Sequence, residues 1–222
     1  MSDSQRKEYK EGNPIQLIAN DPKTIEQFWT CILPNRCKGC ELCETRQRIV
    51  PSKGTGKNGI VIVGQNPGRD EDISGVPFIG RAGKLLDELL DKAGIVPNDC
   101  WFTNACKCHS YKNQTPSRDQ LKACQILLKK ELEIVTPSCI VALGIPAVRS
   151  VLNDFRDNLA MWRVNGNIYS SPFTKSNVIA SYHTAWALRS NGEQAVEGRR
   201  TILKNLKLAR GIAKTEEISN AK

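Results

Sequence analysis

Four short apolar runs set the rhythm of the chain: Ile60–Val63, Cys100–Ala105, Ser138–Leu143 and Asn177–Tyr182. Each has the length of a buried strand, and between them apolar residues recur at three- and four-residue intervals, the period of a helix. The clearest helical stripe is Ala82, Leu85, Leu86, Leu89, Leu90 and Ala93, stopped by Gly94 and Pro97. A second helix is predicted from Thr115 as N-cap and Pro116 as first residue, with Leu121, Cys124, Leu127, Leu128, Leu132 and Val135 inward. Strands alternating with helices define an α/β fold. The first strand stops at Gly64, Asn66, Pro67 and Gly68, and a charged loop precedes the helix. Open α/β sheets bind ligands at the carboxyl ends of their strands, which makes residues 64–78 the first candidate site.

The remaining segments are shorter. Thr24 to Leu33 predicts an amphipathic helix, and Gly54 to Gly59 a loop, because its G-x-G-x-x-G spacing precedes the strand instead of following it. Alternation and an Asn165-Gly166 pair predict a hairpin from Arg163 to Pro172. After the fourth strand, Thr184 to Arg189 reads as an exposed loop and Glu193 to Ala213 as a final helix.

Nothing in the composition divides the 222 residues, so one domain is expected, with a core at about 24–213 between polar N- and C-terminal tails. The polar start and the absence of a long apolar run predict a cytoplasmic protein without membrane association. The net charge of +9 suits a polyanionic partner. Nine cysteines without a secretory signal point to metal ligation, not to a disulfide framework. Cys37-Lys-Gly-Cys40 is a C-x2-C ligand pair, and Cys108 with Cys124 adds C-x15-C, a set that would also suit structural zinc.

GQNPGRDED, GVPFIGRAGKLL, TNACKC, TPSRDQLKAC, IVALG and YHTAWALR, in that order, resemble the iron–sulfur (family 4) uracil-DNA glycosylases over most of the chain from Cys37 onward. The resemblance implies a three-layer α/β/α fold with a four-stranded parallel sheet and an enzyme that hydrolyses the N-glycosidic bond of uracil in DNA. It assigns a [4Fe–4S] cluster to Cys37, Cys40, Cys108 and Cys124, leaving Cys43 and Cys106 out. Phe78 is implied to stack on the flipped base, Asn104 to read its pairing edge, and His183 to stabilise the charge growing on its oxygen. Glu71 corresponds to a carboxylate near the base's C5 side. Leu188 and Arg189 match a loop that wedges into the minor groove and holds phosphate.

The chain departs from the family in its GQNPG motif and at Thr184. GQNPG resembles the mismatch-specific and single-strand-selective branches, in which the asparagine positions the attacking water; Asn66 takes that role and Gln65 a supporting one. Gly68 stands where the most uracil-specific enzymes carry a tyrosine against 5-methyl groups, and Thr184 stands where the family has proline. The alternative reading is therefore the same chemistry on a modified pyrimidine, damaged or of the phage hypermodified type, in antiphage defence. A remoter one is a non-catalytic nucleic-acid-binding module. A monomer acting on single- or double-stranded DNA is expected by analogy.

Overall fold

The computed structural model describes residues 13–33 and 36–220, so the N-terminal polar segment lies outside the described residues apart from its last positions. The four apolar runs form strands β2 (Ile60–Gly64), β3 (Trp101–Asn104), β4 (Cys139–Leu143) and β6 (Asn177–Ser181), all mutually parallel. The expected four-stranded sheet gains two antiparallel edges, β1 (Lys53–Gly54) beside β3 and β5 (Ile168–Ser170) beside β6, giving the order β1-β3-β2-β4-β6-β5. Neither edge carries an apolar run, because an edge strand has one covered side at most. Gly54 can sit there because its φ is +103° and a Cβ would lie 1.9 Å from the Cys100 carbonyl oxygen.

Every central strand is buried on both faces, as continuous apolar runs require. Val61, Val63, Ile140, Ala142, Val178 and Ala180 face helices Ile25–Ile32, Arg118–Val135 and Ile145–Leu152. Ile60, Ile62, Phe102, Val141 and Ile179 face helices Arg81–Lys92 and Gly192–Asn220. Alternation along each strand thus builds two cores and three layers.

Several local expectations are corrected. The 118–135 helix starts two residues late, because Ser117 and Gln120 form a reciprocal capping box that Thr115 has no partner to match. The charged stretch after Gly68 is a short helix, Arg69–Ser74, and the 184–189 loop is a helix N-capped by His183. The hairpin at Asn165-Gly166 is absent: a short helix, Met161–Val164, ends there, and Asn165 Oδ1 accepts from the Tyr182 amide and Asn205 Nδ2, both at 3.2 Å. β5 pairs instead with β6 across residues 171–176. The C-terminal segment expected as a tail continues the last helix to Asn220.

The chain turns from β2 to β3 on one side and crosses to β4 on the other. β2 is therefore the switch point, where two successive loops part and open a crevice. Register brings Gly64 opposite Asn104, and Leu143 opposite Ser181, so the residues after each strand meet at one edge.

Candidate active site and cysteine chamber

At that edge lies a cleft of about 810 Å³. It is lined by all nine residues singled out for chemistry or DNA contact: Gln65, Asn66, Gly68, Glu71, Phe78, Asn104, His183, Leu188 and Arg189. Arg69 and Asp70, inside the 64–78 stretch, also line it, and sequence reasoning missed Arg81, Asn113 and Thr115. Arg81 was legible as the first residue of a helix bordering a functional loop; Asn113 and Thr115 sit in a polar loop whose course no pattern gives.

Asn104 ends β3 with 6% of its surface exposed, and its carboxamide makes no hydrogen bond among the described residues. Its amide nitrogen and oxygen stay open to the cleft, where an arriving ligand can pair with both. Phe78 is buried beside it, in a left-handed conformation at φ +55°. Gly83 makes that possible, since a Cβ there would lie 2.1 Å from the Phe78 carbonyl oxygen. Lys53 Nζ also reaches that oxygen at 3.4 Å, and the ring tilts against Phe102 at 5.5 Å. Strain kept at one aromatic, with backbone packed around it, marks a functional position.

Gly64 has a role that sequence alone read only as a strand end. A Cβ on it would stand 2.3 Å from Asn104 Oδ1 and 2.7 Å from Phe78 Cζ. Gly64→Ala is accordingly expected to lower kcat/KM about 10²-fold, the scale for a 1 Å misplacement, and the melting temperature by a few degrees, because the Phe78 ring is buried and must give way. Unchanged kinetics would show that neither group needs its place.

His183 is half-buried, and its Nδ1 accepts a hydrogen bond from the Ala185 amide at 3.0 Å. The neutral ring therefore carries its proton on Nε2. Burial of the imidazole, with the Arg189 cation adding to it, pushes its pKa down to about 4. Thr184, where the resemblance leads one to expect proline, donates to the Ala82 carbonyl at 2.8 Å and ties this turn to the N-terminal end of the 81–92 helix.

Asn66 Nδ2 donates to the Pro67 carbonyl at 3.2 Å and to Ser110 Oγ at 3.1 Å, which leaves Oδ1 as an acceptor. His109 Nδ1 donates to the Pro67 carbonyl at 2.9 Å, and the Gln65 carbonyl accepts from the Cys106 amide at 3.0 Å. Glu71 Oε1 accepts from the Gly80 amide at 3.0 Å, and its Oε2 lies where a Cβ on Gly68 would be, 2.4 Å away. The three acidic residues after Arg69 divide: Asp70 and Glu71 line the cleft, while Asp72 is buried and accepts from the Gln47 amide at 3.0 Å and the Arg48 amide at 3.1 Å.

Below the cleft, Cys37, Cys40, Cys108 and Cys124 line one chamber, closed by Arg46, Lys107 and Ile49. Cys43 and Cys106 do not line it; Cys106 is buried next to Cys124, and the interaction of the two thiols raises the pKa of Cys106 and lowers that of Cys124. The Cys124 sulfur also accepts from the Lys107 amide at 3.4 Å, and the Cys108 sulfur from Arg46 Nη1 at 3.3 Å. Burial pushes the Cys37 thiol up to about 11 and Cys40 up to about 12, so neither is a thiolate near neutrality without a cation beside it. Among the described residues no three His, Cys, Asp or Glu side chains converge as on a single metal ion.

A mostly parallel α/β sheet with a cleft at its switch point, lined by an amide without protein partners and a neutral imidazole, agrees with the chain's sequence relatives. The sequence profile of the Uracil DNA glycosylase superfamily matches residues 51–207, and the chain belongs to that superfamily. Within it, the chain belongs with the type-4 enzymes. It is 39% identical over 155 residues to a Type-4 uracil-DNA glycosylase of Archaeoglobus fulgidus, covering 68% of this chain and 78% of that one. A Type-4 uracil-DNA glycosylase of Thermotoga maritima is 34% identical over 181 residues, 82% of this chain and 91% of its own, and one of Pyrobaculum aerophilum 35% over 160 residues, 71% and 82%.

Proposed function

We propose that this protein is a DNA glycosylase that removes uracil from DNA, leaving an abasic site for base excision repair. The observation that carries the reading is the Asn104 carboxamide, free of protein partners and open to a cleft that the Phe78 ring and a neutral His183 also line. A uracil edge offers an acceptor and a donor to one carboxamide, and its face offers a surface for the ring. His183 Nε2–H then donates to the base oxygen that gains charge as the glycosidic bond breaks. A neutral donor suits this step because it stabilises the anion without transferring a proton, and uracil leaves as the anion. Asn66 Oδ1 accepts a hydrogen bond from the attacking water and aligns it, with Gln65 fixing the turn below.

Glu71 and Gly68 bound the base's C5 side. Leu188 fills the space vacated by the flipped base, and Arg189 meets phosphate while its charge favours the departing anion. Leu188→Ala is expected to weaken excision from paired uracil about tenfold and from single strands less than twofold; equal loss on both would remove the wedge role.

The four chamber cysteines fit a [4Fe–4S] cluster. All four donors are sulfur, and amide and guanidinium N–H groups point at two of them, as suits thiolates that share charge with a cluster. A cluster there supplies anchorage, joining residues 37–50 to the loop after β3, and the hydrolysis needs no redox step. Among the described residues no helix is long and apolar enough to cross a membrane; a cytoplasmic monomer acting on DNA completes the reading.

Strand scission by alkali after incubation with oligonucleotides carrying one uracil, thymine, 5-hydroxymethyluracil or larger 5-substituted base tests it. Scission at uracil, lost in Asn66→Ala, is the expected result. Scission confined to a substituted pyrimidine would replace uracil by that base, and binding without scission would leave a nucleic-acid-binding module.

A further inference from the structure

Between the chamber and the cleft lies a buried ion pair that neither the resemblance nor the chemistry above uses. Lys107 is 1% exposed and Glu131 fully buried. Lys107 Nζ donates to Glu131 Oε2 at 2.5 Å, to Thr103 Oγ1 at 2.5 Å and to the Asn104 carbonyl at 2.9 Å, so each ammonium proton has an acceptor. Glu131 Oε2 also accepts from the Thr103 hydroxyl at 2.8 Å, and Oε1 from Trp101 Nε1 at 3.0 Å. Two charges removed from water recover little stability beyond an apolar pair of equal size. What a fully satisfied network does supply is one fixed geometry.

That geometry ends on the residue implied to read the base. Trp101 and Thr103 project from one face of β3 onto the carboxylate of the 118–135 helix, and Lys107 closes the ring on the Asn104 carbonyl. The same lysine lies next to Cys108, and its own amide donates to Cys124. We propose that Lys107 and Glu131 are positioning residues that hold Asn104 in register for base recognition and tie it to the cysteine chamber. The proposal deepens the uracil reading and rests on it for the choice of ligand.

Lys107→Met/Glu131→Gln removes both charges, so that no orphaned charge stays buried; Thr103→Val, nearly isosteric, removes only the bridging hydroxyl and leaves the direct Lys107–Glu131 contact. Melting temperature and visible absorption confirm fold and chamber in each. Inhibition by free uracil is then measured with Asn104 present and in an Asn104→Ala background. With Asn104 present, the double variant is expected to bind uracil about tenfold or more weakly, and Thr103→Val a few-fold; once Asn104 is gone, neither changes binding by more than about twofold. Equal losses in both backgrounds, or none in the first, would overturn the proposal. Crystals of wild type and variant read the Asn104 carboxamide without any activity. A displacement of about 1 Å is expected, the scale that matters for catalysis, and superimposable carboxamides would overturn it. A wild type that neither binds nor releases uracil would sink the uracil reading, and the crystals would still decide the strut.

Discussion

His183→Ala is expected to lower kcat for uracil release about 10²- to 10³-fold while KM moves only a few-fold, the cost of removing one donor from a developing oxyanion. The ring is committed to that task by its surroundings. Its Nδ1 is occupied by the Ala185 amide at 3.0 Å, which leaves Nε2–H as the only donor, and burial with the nearby Arg189 holds its pKa down to about 4. Catalysis should therefore be flat in pH from 8 to about 5 and fall as the ring protonates near 4, where a proton on Nδ1 would oppose the Ala185 amide. Stability carries the matching signature. The unfolded imidazole titrates near 6.5, so between about 6.5 and 4 the unfolded chain binds the extra proton and stability falls as the pH is lowered, by up to about 3 kcal/mol. In His183→Ala that slope should be missing. A kcat profile that instead rises as His183 protonates would mean that imidazolium is the working form.

The second large effect is on the chamber. Alanine at Cys37, Cys40, Cys108 or Cys124 is expected to abolish bound iron and visible absorption and to lower stability by about 5 kcal/mol, about 10 °C or more for a chain of this length. The size follows from what the chamber joins: the 37–50 segment has few strands or long helices of its own, and it is pinned to the sheet by these thiols and by Asp72 at the Gln47 and Arg48 amides. Cys43→Ala and Cys106→Ala should keep the iron, because neither side chain lines the chamber. A colourless wild type with stoichiometric zinc would overturn the cluster, and loss of iron in Cys43→Ala would redraw the ligand set.

The sequence announced the sheet's centre because strands buried on both faces must be apolar throughout, as Ile60–Gly64 and Cys139–Leu143 are. It hid the edges, since Lys53–Gly54 has no apolar residue and Ile168–Ser170 is exposed at two of its three positions. The site residues came mainly from motif resemblance, and the structure brings all nine to one cleft because strand register aligns the strand ends. Contacts made across the chain were beyond any local pattern. Gly64 matters through Asn104 and Phe78, Thr184 through Ala82, and Lys107 through Glu131, partners 14 to 102 positions apart in sequence for the first two and 24 for the third. Asp72 shows the converse: by sequence it belongs with an exposed acidic loop, and only the fold reveals it as a buried acceptor for backbone amides.

The most direct test of the central claim is release of free uracil from an oligonucleotide holding one uracil, measured under single turnover with iron-loaded protein beside His183→Ala. Stoichiometric uracil and an equal yield of abasic sites from the wild type, slowed about 10²-fold or more in the variant, is the predicted result. No uracil from the wild type, or release at the same rate from His183→Ala, would contradict it.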